Sequence, residues 1–354
     1  MKIVALLTTV LLMLTVPGAG AAWAQRSAEQ DESFERALEM MAADPAGARA
    51  LIEPMANAGD AEALNLLSIL LSNDGPDWPA DPDRAQKLRE AAVKAGSRAA
   101  ALNIALGIML DKDADHARGV ELLKIADGEE QLRALTTYAW GRAYLFGWGV
   151  PRDMKKGVAY LEKYEREDSL MPDAQFLLGR AYRYGWDVEV DAKRAFAYMQ
   201  KSADMGDPRA QWNLGMMLLN GEGVVADEDL AFRYVQESAK RNYRDAMISY
   251  AVMLATGQGT DENDAEARKW YRAAAEAGSA HALRALGGML AGGEGGPVDA
   301  AQGFAMLELA AEAGDAMATK AIELLSANVK PNRKAIDQAK LAWRSKNDSL
   351  ENDD

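Results

Sequence analysis

The chain has 354 residues, 49% of them hydrophobic and 27% charged, with a formal net charge of −14. That charge argues against a general affinity for nucleic acid or for an anionic membrane surface, both of which need a basic footprint. Cysteine is absent and histidine is confined to His116 and His281, 165 residues apart, so disulfides, thiol nucleophiles, zinc fingers and Fe–S clusters are excluded.

The first residues, MKIVALLTTVLLMLTVPGAGAAWAQ, place Lys2 before an apolar run from Ile3 to Val16. Ala22-Trp23-Ala24 then supplies a small-x-small cleavage pattern. The run is 14 residues long, short of the roughly 20 a membrane span needs. Residues 1–24 are therefore expected to be a cleaved secretory signal, leaving a mature chain in the periplasm or outside the cell with no membrane insertion. Residues 25–43 follow as a starting helix.

From residue 44 onward the sequence repeats. The glycine pair of "NGEGVV", Gly221 and Gly223, recurs as Gly257 and Gly259 and as Gly293 and Gly295, at steps of 36 residues. Gly185 keeps the first slot, with Asp187 in the second, and Gly147 and Gly149 lie 38 residues earlier. A loop that recurs at a fixed period is a connector, not a unique ligand loop. Gly206, Asn242, Gly278 and Gly314 share the same period, as do Asp191, Asp227, Asn263 and Asp299. Glycine and asparagine tolerate the left-handed conformation that closes a helix. Asp and Asn cap helix N-termini, because a side-chain oxygen takes an orphan amide.

Each cap precedes its closing residue by 15 positions, and this spacing extends the array upstream. Asp44 pairs with Gly59, Asp81 with Gly96, Asp113 with Gly128, and Asp153 with Asp168. Eight units are predicted, each with a capped second helix of about four turns. Ala203, Ala239, Ala275 and Ala311, with Ala210, Ala246, Ala282 and Ala318, mark close helix–helix turns. Tyr198, Tyr234, Trp270 and Met306 are predicted to fill the inter-helix core.

These residues resemble the Sel1-like repeat, a relative of the tetratricopeptide repeat. The pattern runs through "AQWNLGMMLLNGEGVVADEDLAFRYVQESA" from Ala210, "ALRALGGMLAGGEGGPVDAAQGFAMLELAAEAG" from Ala282 and "AWGRAYLFGWGVPRDMKKGVAYLEKYE" from Ala139. It is strong in the last five units and weaker in the first three. The resemblance implies an all-α fold: a right-handed α/α solenoid of about eight helix-turn-helix units over residues 44–327. First helices would line a concave face and second helices the outside. Residues 328–347 are expected to close the last repeat as a helix, and residues 348–354 to form a frayed acidic tail.

No catalytic signature is present: no HExxH, GxSxG, Walker A or Ser-x-x-Lys. A cysteine-rich branch of Sel1-like proteins is linked to β-lactam binding, but its paired cysteines are missing here. The acidic loops lack the twelve-residue spacing and central glycine of a calcium hand. His281 has no second histidine nearby. No cofactor or metal is implied. The chain is expected to be a non-enzymatic scaffold that binds a protein through its concave face or an aromatic rim, and the resemblance implies a role in envelope signalling, polysaccharide export or cell-wall assembly.

One departure from the repeat marks a candidate site. The residue between the loop glycines is Glu222, Gln258 or Glu294 in three units but Trp148 and Trp186 in two others, with Phe146 and Tyr184 beside them. On stacked neighbouring repeats the two tryptophans would lie roughly 10 Å apart on one rim. There they could anchor a protein or stack on cell-wall glycan; the alternative is that the rings fold back and seal the groove between repeats. Tyr144 and Tyr182 occupy the family's core aromatic slot. Trp212, on a first helix, is the further candidate.

Overall fold

A computed structural model describes residues 26–75, 78–166, 171–327, 329–330 and 332–351. The leader, Asp168 and the last three residues lie outside these. Among the described residues the chain is all-helical, a solenoid of paired helices, and it forms two compact units. The first holds α1 (Ala28–Met40), α2 (Pro45–Asn57), α3 (Ala61–Leu71), α4 (Pro82–Lys94), α5 (Arg98–Leu110), α6 (His116–Ala126), a 3-10 turn (Glu130–Leu132), α7 (Arg133–Phe146) and α8 (Met154–Arg166). The second holds α9 (Pro172–Tyr184), α10 (Ala192–Asp204), α11 (Pro208–Asn220), α12 (Glu228–Lys240), α13 (Arg244–Thr256), α14 (Asp264–Glu276), α15 (Ala280–Gly292), α16 (Ala300–Glu312), α17 (Ala316–Ser326) and α18 (Arg333–Glu351). Odd-numbered helices through α17 are first helices and even-numbered ones through α16 are second helices. Within each unit, every helix as far as α17 packs against its neighbours in the chain.

The helix ends follow from local chemistry. Asp44, Asp81, Asp191, Asp227, Asn263 and Asp299 each accept the backbone amide three residues further on, which satisfies one of the orphan donors of the first turn. Asn242 closes its helix with φ of 61°. One cap falls elsewhere than the spacing predicts. In "DKDADH" the carboxylate of Asp111 takes the amide of Asp113, so Asp113 sits in a turn. Asp115 caps instead, accepting from Arg118, and α6 starts at His116.

The core phase also differs by one residue. Met306 is buried, but Tyr198, Tyr234 and Trp270 are half-buried. The enclosed slot is the next one, Met199, Val235, Tyr271 and Leu307, at most 8% exposed. One step rotates a side chain by about 100° around a helix. Ala195, Ala231, Ala267 and Gly303, four residues before this slot, are buried as well, which places the small and bulky slots on one stripe facing the first helix. The aromatics one position earlier lie at the margin of the seam. Tyr198 stacks on Tyr182 with ring centres 5.8 Å apart, and Trp270 meets Tyr250 edge-on at 5.2 Å.

Seven of the eight alanines at the tight turns are enclosed. Ala210, Ala246, Ala282 and Ala318 are fully buried, Ala203, Ala239 and Ala275 nearly so, and Ala311 is half-buried. Beside them the Ser202 hydroxyl donates to the Pro172 carbonyl at 2.7 Å, and Ser238 to Pro208 at 2.5 Å. These bonds pin the end of a second helix to the start of the first helix it pairs with.

The second loop glycine joins one repeat to the one before. A Cβ on Gly223 would stand 2.1 Å from the carbonyl oxygen of Ala192, the first residue of α10. The same oxygen belongs to Glu228 for Gly259, Asp264 for Gly295 and His116 for Gly149, each at 2.2 Å. Backbone lies against backbone, with φ between 68° and 76° at all four glycines. No side chain fits there, and the conformation itself is costly for any other residue.

α18 packs on α16, the last second helix, and continues through Glu351, so the segment expected to be a frayed tail is helical that far. Ile336 and Trp343 are buried. Arg333 and Lys340 reach Glu308 at 2.5 and 3.0 Å, and Lys340 and Arg344 reach Glu312 at 2.5 Å. Burial opposes ionisation of Glu308, but its bonds to Arg333 and Lys340 outweigh that and hold its carboxyl below the usual range. The Lys340 bond does the same for Glu312.

Gly223→Ala is expected to destabilise the second unit by about 1–3 kcal/mol more than Gly278→Ala, since Gly278 shares the positive φ but has open space where Cβ would stand; urea unfolding of both variants measures the difference. The depressed carboxylates of Glu308 and Glu312 stabilise the docking of α18 fully above their ordinary value of 4.5, and the contribution is lost as pH falls through their lower folded values. Hydrogen exchange, corrected for intrinsic rates, should show α18 losing protection on acidification before α12 does, with a shallower pH dependence in Glu308→Gln.

Candidate interaction surface

In the first unit the loop tryptophan is packed against its neighbours. Gly147 ends α7 in the left-handed conformation, and the Trp148 amide donates back to Ala143. This turns the indole onto the start of α6. His116 stacks on it with ring centres 4.6 Å apart and planes 6° from parallel. Phe146 lies 4.7 Å away, and the Arg142 guanidinium stands 5.2 Å from the ring centre. Arg142 is itself buried, its Nε donating to the Met109 carbonyl at 2.8 Å. Trp148 and Phe146 are half-buried. Tyr144, in the same helix, stacks on Tyr160 and accepts from Lys156 at 2.6 Å.

The second unit repeats the pattern with a different outcome. Trp186 follows the left-handed Gly185 and its amide donates to Ala181. Its ring faces Arg180, which also lies near Phe176 and Tyr184. Trp186 is half-buried, whereas Tyr184 is 54% exposed. Tyr182 is buried. Trp148 and Trp186 thus belong to separate compact units, each with its own cluster.

The neighbouring seam uses charge where these use rings. Arg183 of α9 grips the Glu222 carboxylate through Nε and Nη2 at 2.7 to 3.1 Å, and its Nη1 donates to Asn213. Glu222 occupies the loop position that Trp186 holds one repeat earlier. Further along, Gln258 donates to Glu228.

Trp212 opens a surface that the sequence pattern does not bring out. It is half-buried on α11, with its Nε1 donating to Ser249 of α13 at 2.9 Å and its ring tilted on Tyr243. Met216, one turn on, is also half-buried. Their counterparts 36 residues later are Ile248 and Val252, the latter 37% exposed. The next counterpart of Val252 is Gly288, where a Cβ would meet nothing within 4 Å. The result is an apolar stripe on the first-helix face of the second unit that spans two adjacent repeats; the counterpart of Ile248 in the next repeat is Arg284, paired with Asp315. One end of it is charged. Arg209 pairs with Asp207 and Asp173 at 2.5 and 2.9 Å. Burial would lower its pKa, but the two carboxylates raise it above the ordinary value. Of the five candidate residues, Trp186, Tyr184 and Trp212 lie in this unit, and Phe146 and Trp148 in the other. Met216, Ile248, Val252 and Arg180 were missed in the sequence; the 36-residue register leads from Trp212 to Ile248 and from Met216 to Val252, but it does not show that these slots stay partly open.

Among the described residues, no group of three His, Asp or Glu side chains could hold a metal ion, and no helix is long and apolar enough to cross a membrane.

The Sel1 repeat family model matches residues 135–163, 172–207, 208–243, 244–279 and 280–315. The chain belongs to the Sel1 repeat family. The solved structure of a Sel1 repeat protein from Oxalobacter formigenes is 27% identical, with 89% of this chain and 93% of that one covered at a TM-score of 0.58. A protective antigen of uropathogenic Escherichia coli, described as displaying an SLR fold, shares the fold at 19% identity. It covers 89% of this chain and 68% of that one at a TM-score of 0.71. No curated protein matches the sequence. Sel1 repeat proteins generally mediate protein–protein interaction and are generally non-enzymatic.

Proposed function

We propose that this Sel1 repeat protein is an exported, non-enzymatic scaffold that binds a protein partner through the first-helix face of its second unit. The observation that carries the reading is the stripe of Trp212, Met216, Ile248 and Val252, apolar side chains left partly open at the same slots of adjacent repeats. Repeat surfaces of this kind present extended binding faces without a catalytic centre, and partly exposed aromatic and methionine side chains are enriched at protein interfaces. Export rests on the leader and its cleavage pattern. A periplasmic scaffold of this class suits envelope signalling, polysaccharide export or cell-wall assembly.

Cell-wall glycan is a second reading, and Tyr184 is the residue that favours it, because its ring is exposed and flat enough for a sugar to stack on. The Trp148 ring already carries His116 on one face.

The mature chain cross-linked in its native periplasm should enrich one protein. Met216→Glu combined with Val252→Glu should lose it, while Val225→Glu should not, since Val225 is 86% exposed on a loop away from the stripe. Equal enrichment by the double variant, or recovery of wall fragments only, would reject the scaffold reading. Intact mass of the exported chain should place its first residue at Gln25; a mass that retains the leader would reject processing there.

A further inference from the structure

The ring cluster on α9 frames an arginine that has nothing to hold. The Arg180 guanidinium carbon lies 5.0 Å from the centre of the Trp186 ring, 5.8 Å from Phe176 and 5.9 Å from Tyr184. Arg180 is half-buried, and among the described residues no hydrogen bond or ion pair engages it. Neighbouring arginines are all engaged: Arg183 by Glu222 and Asn213, Arg209 by Asp207 and Asp173. The equivalent residue before the preceding loop is Arg142, five positions ahead of its loop glycine as Arg180 is. Arg142 stands beside Phe146 and Trp148 in the same way, but it spends its donor edge on the Met109 carbonyl.

We infer that Arg180 anchors a carboxylate of the bound partner polypeptide. This rests on the protein-binding reading above and names the group the partner contributes. Rings near the guanidinium hold its orientation and leave the in-plane N–H edge as donor, and that edge matches a carboxylate in two parallel bonds. Arg183, on the same helix as Arg180, shows that pairing with Glu222. A guanidinium half withdrawn from water gains more from such an acceptor than an exposed one does. The surroundings select which anion. Asp187 and Glu189 are exposed in the adjoining loop and the chain as a whole is acidic, so a singly charged carboxylate is repelled less than a phosphate with nearly two charges. The rings and the apolar stripe favour a carboxylate with apolar neighbours.

The test uses the full mature chain labelled with 15N and the Nε–Hε resonance of Arg180, assigned by its loss in Arg180→Lys. Three probes are titrated: N-acetyl-leucyl-leucine as the free acid, the same peptide as its C-terminal amide, and N-acetyl-aspartyl-leucine amide. A carboxylate probe should shift the Arg180 resonance saturably and change Trp186 fluorescence, while the leucyl-leucine amide should not. The free acid binding more tightly would identify a chain terminus as the natural source; the aspartyl peptide binding more tightly would identify a side chain. Arg180→Gln should weaken the tighter probe by about tenfold with an unchanged thermal midpoint, because the side chain makes no bond that folding depends on. No shift with either carboxylate, or an equal shift with the amide, would overturn the inference. A partner lost from the Met216 and Val252 double variant but retained by Arg180→Gln would overturn the carboxylate anchor and leave the scaffold reading standing.

Discussion

In the four loops that carry it, the joining of one repeat to the next depends on one contact, the backbone of the second loop glycine laid on the first-turn carbonyl of the preceding second helix. At these four positions a side chain would collide with that carbonyl; in the Trp186 loop the slot is held by Asp187, in the same left-handed region with φ of 53°. With hydrogen alone, the loop descends onto the helix and sets the translation from one repeat to the next. The other regularities serve this contact. The cap fixes where the second helix begins, and therefore where the carbonyl stands. The left-handed first glycine turns the chain so that the second one reaches it. In the acidic loops the aspartates are accounted for chiefly as caps.

Around that fixed contact the central loop residue is free to vary, and three chemistries occupy it. Trp148 stacks on His116, Glu222 is clasped by Arg183, and Gln258 bonds Glu228. Each reaches a residue 30 to 39 positions earlier in the chain, so each ties two repeats together. A stacked ring pair and a bidentate arginine–carboxylate pair add comparable, modest stability at half-buried positions. The seam tolerates either, provided the glycines keep their places. Arg180 stands out against this background, because its rings are in place and its donors are unmatched.

The first-helix face can vary because the core lies elsewhere. The enclosed stripe of each pair consists of alanine or glycine and a bulkier side chain such as Met199, Val235, Tyr271 or Leu307 at slots that face inward. Positions such as 212, 216, 248 and 252 rotate outward and are only partly packed. Their apolar character in the second unit is therefore not demanded by the fold. Apolar side chains kept half in water have no gain in the free chain, which is the physical ground for assigning them to recognition.

The fold was legible in the sequence to the extent that its causes are local. A cap acts over three residues and a left-handed closure over one. Their recurrence at 36 residues announces an array before any long-range contact is known, and the eight second helices follow from it. Asp113 was misread because three aspartates compete within five residues, and only the Asp111 bond decides among them. The bulky slot was displaced from Tyr198 to Met199 because periodicity gives a spacing and not a phase. A rotation of about 100° separates the two, and the first helix packed alongside sets it. What Trp148 meets was likewise settled by a helix distant in the chain, the one that begins at His116. The sequence by itself determined the repeat, its period and its helix ends, since those depend on groups a few bonds apart. The tertiary structure decided which face is core, which ring seals a seam and which arginine is left over, since those depend on surfaces that meet only when the helices pack.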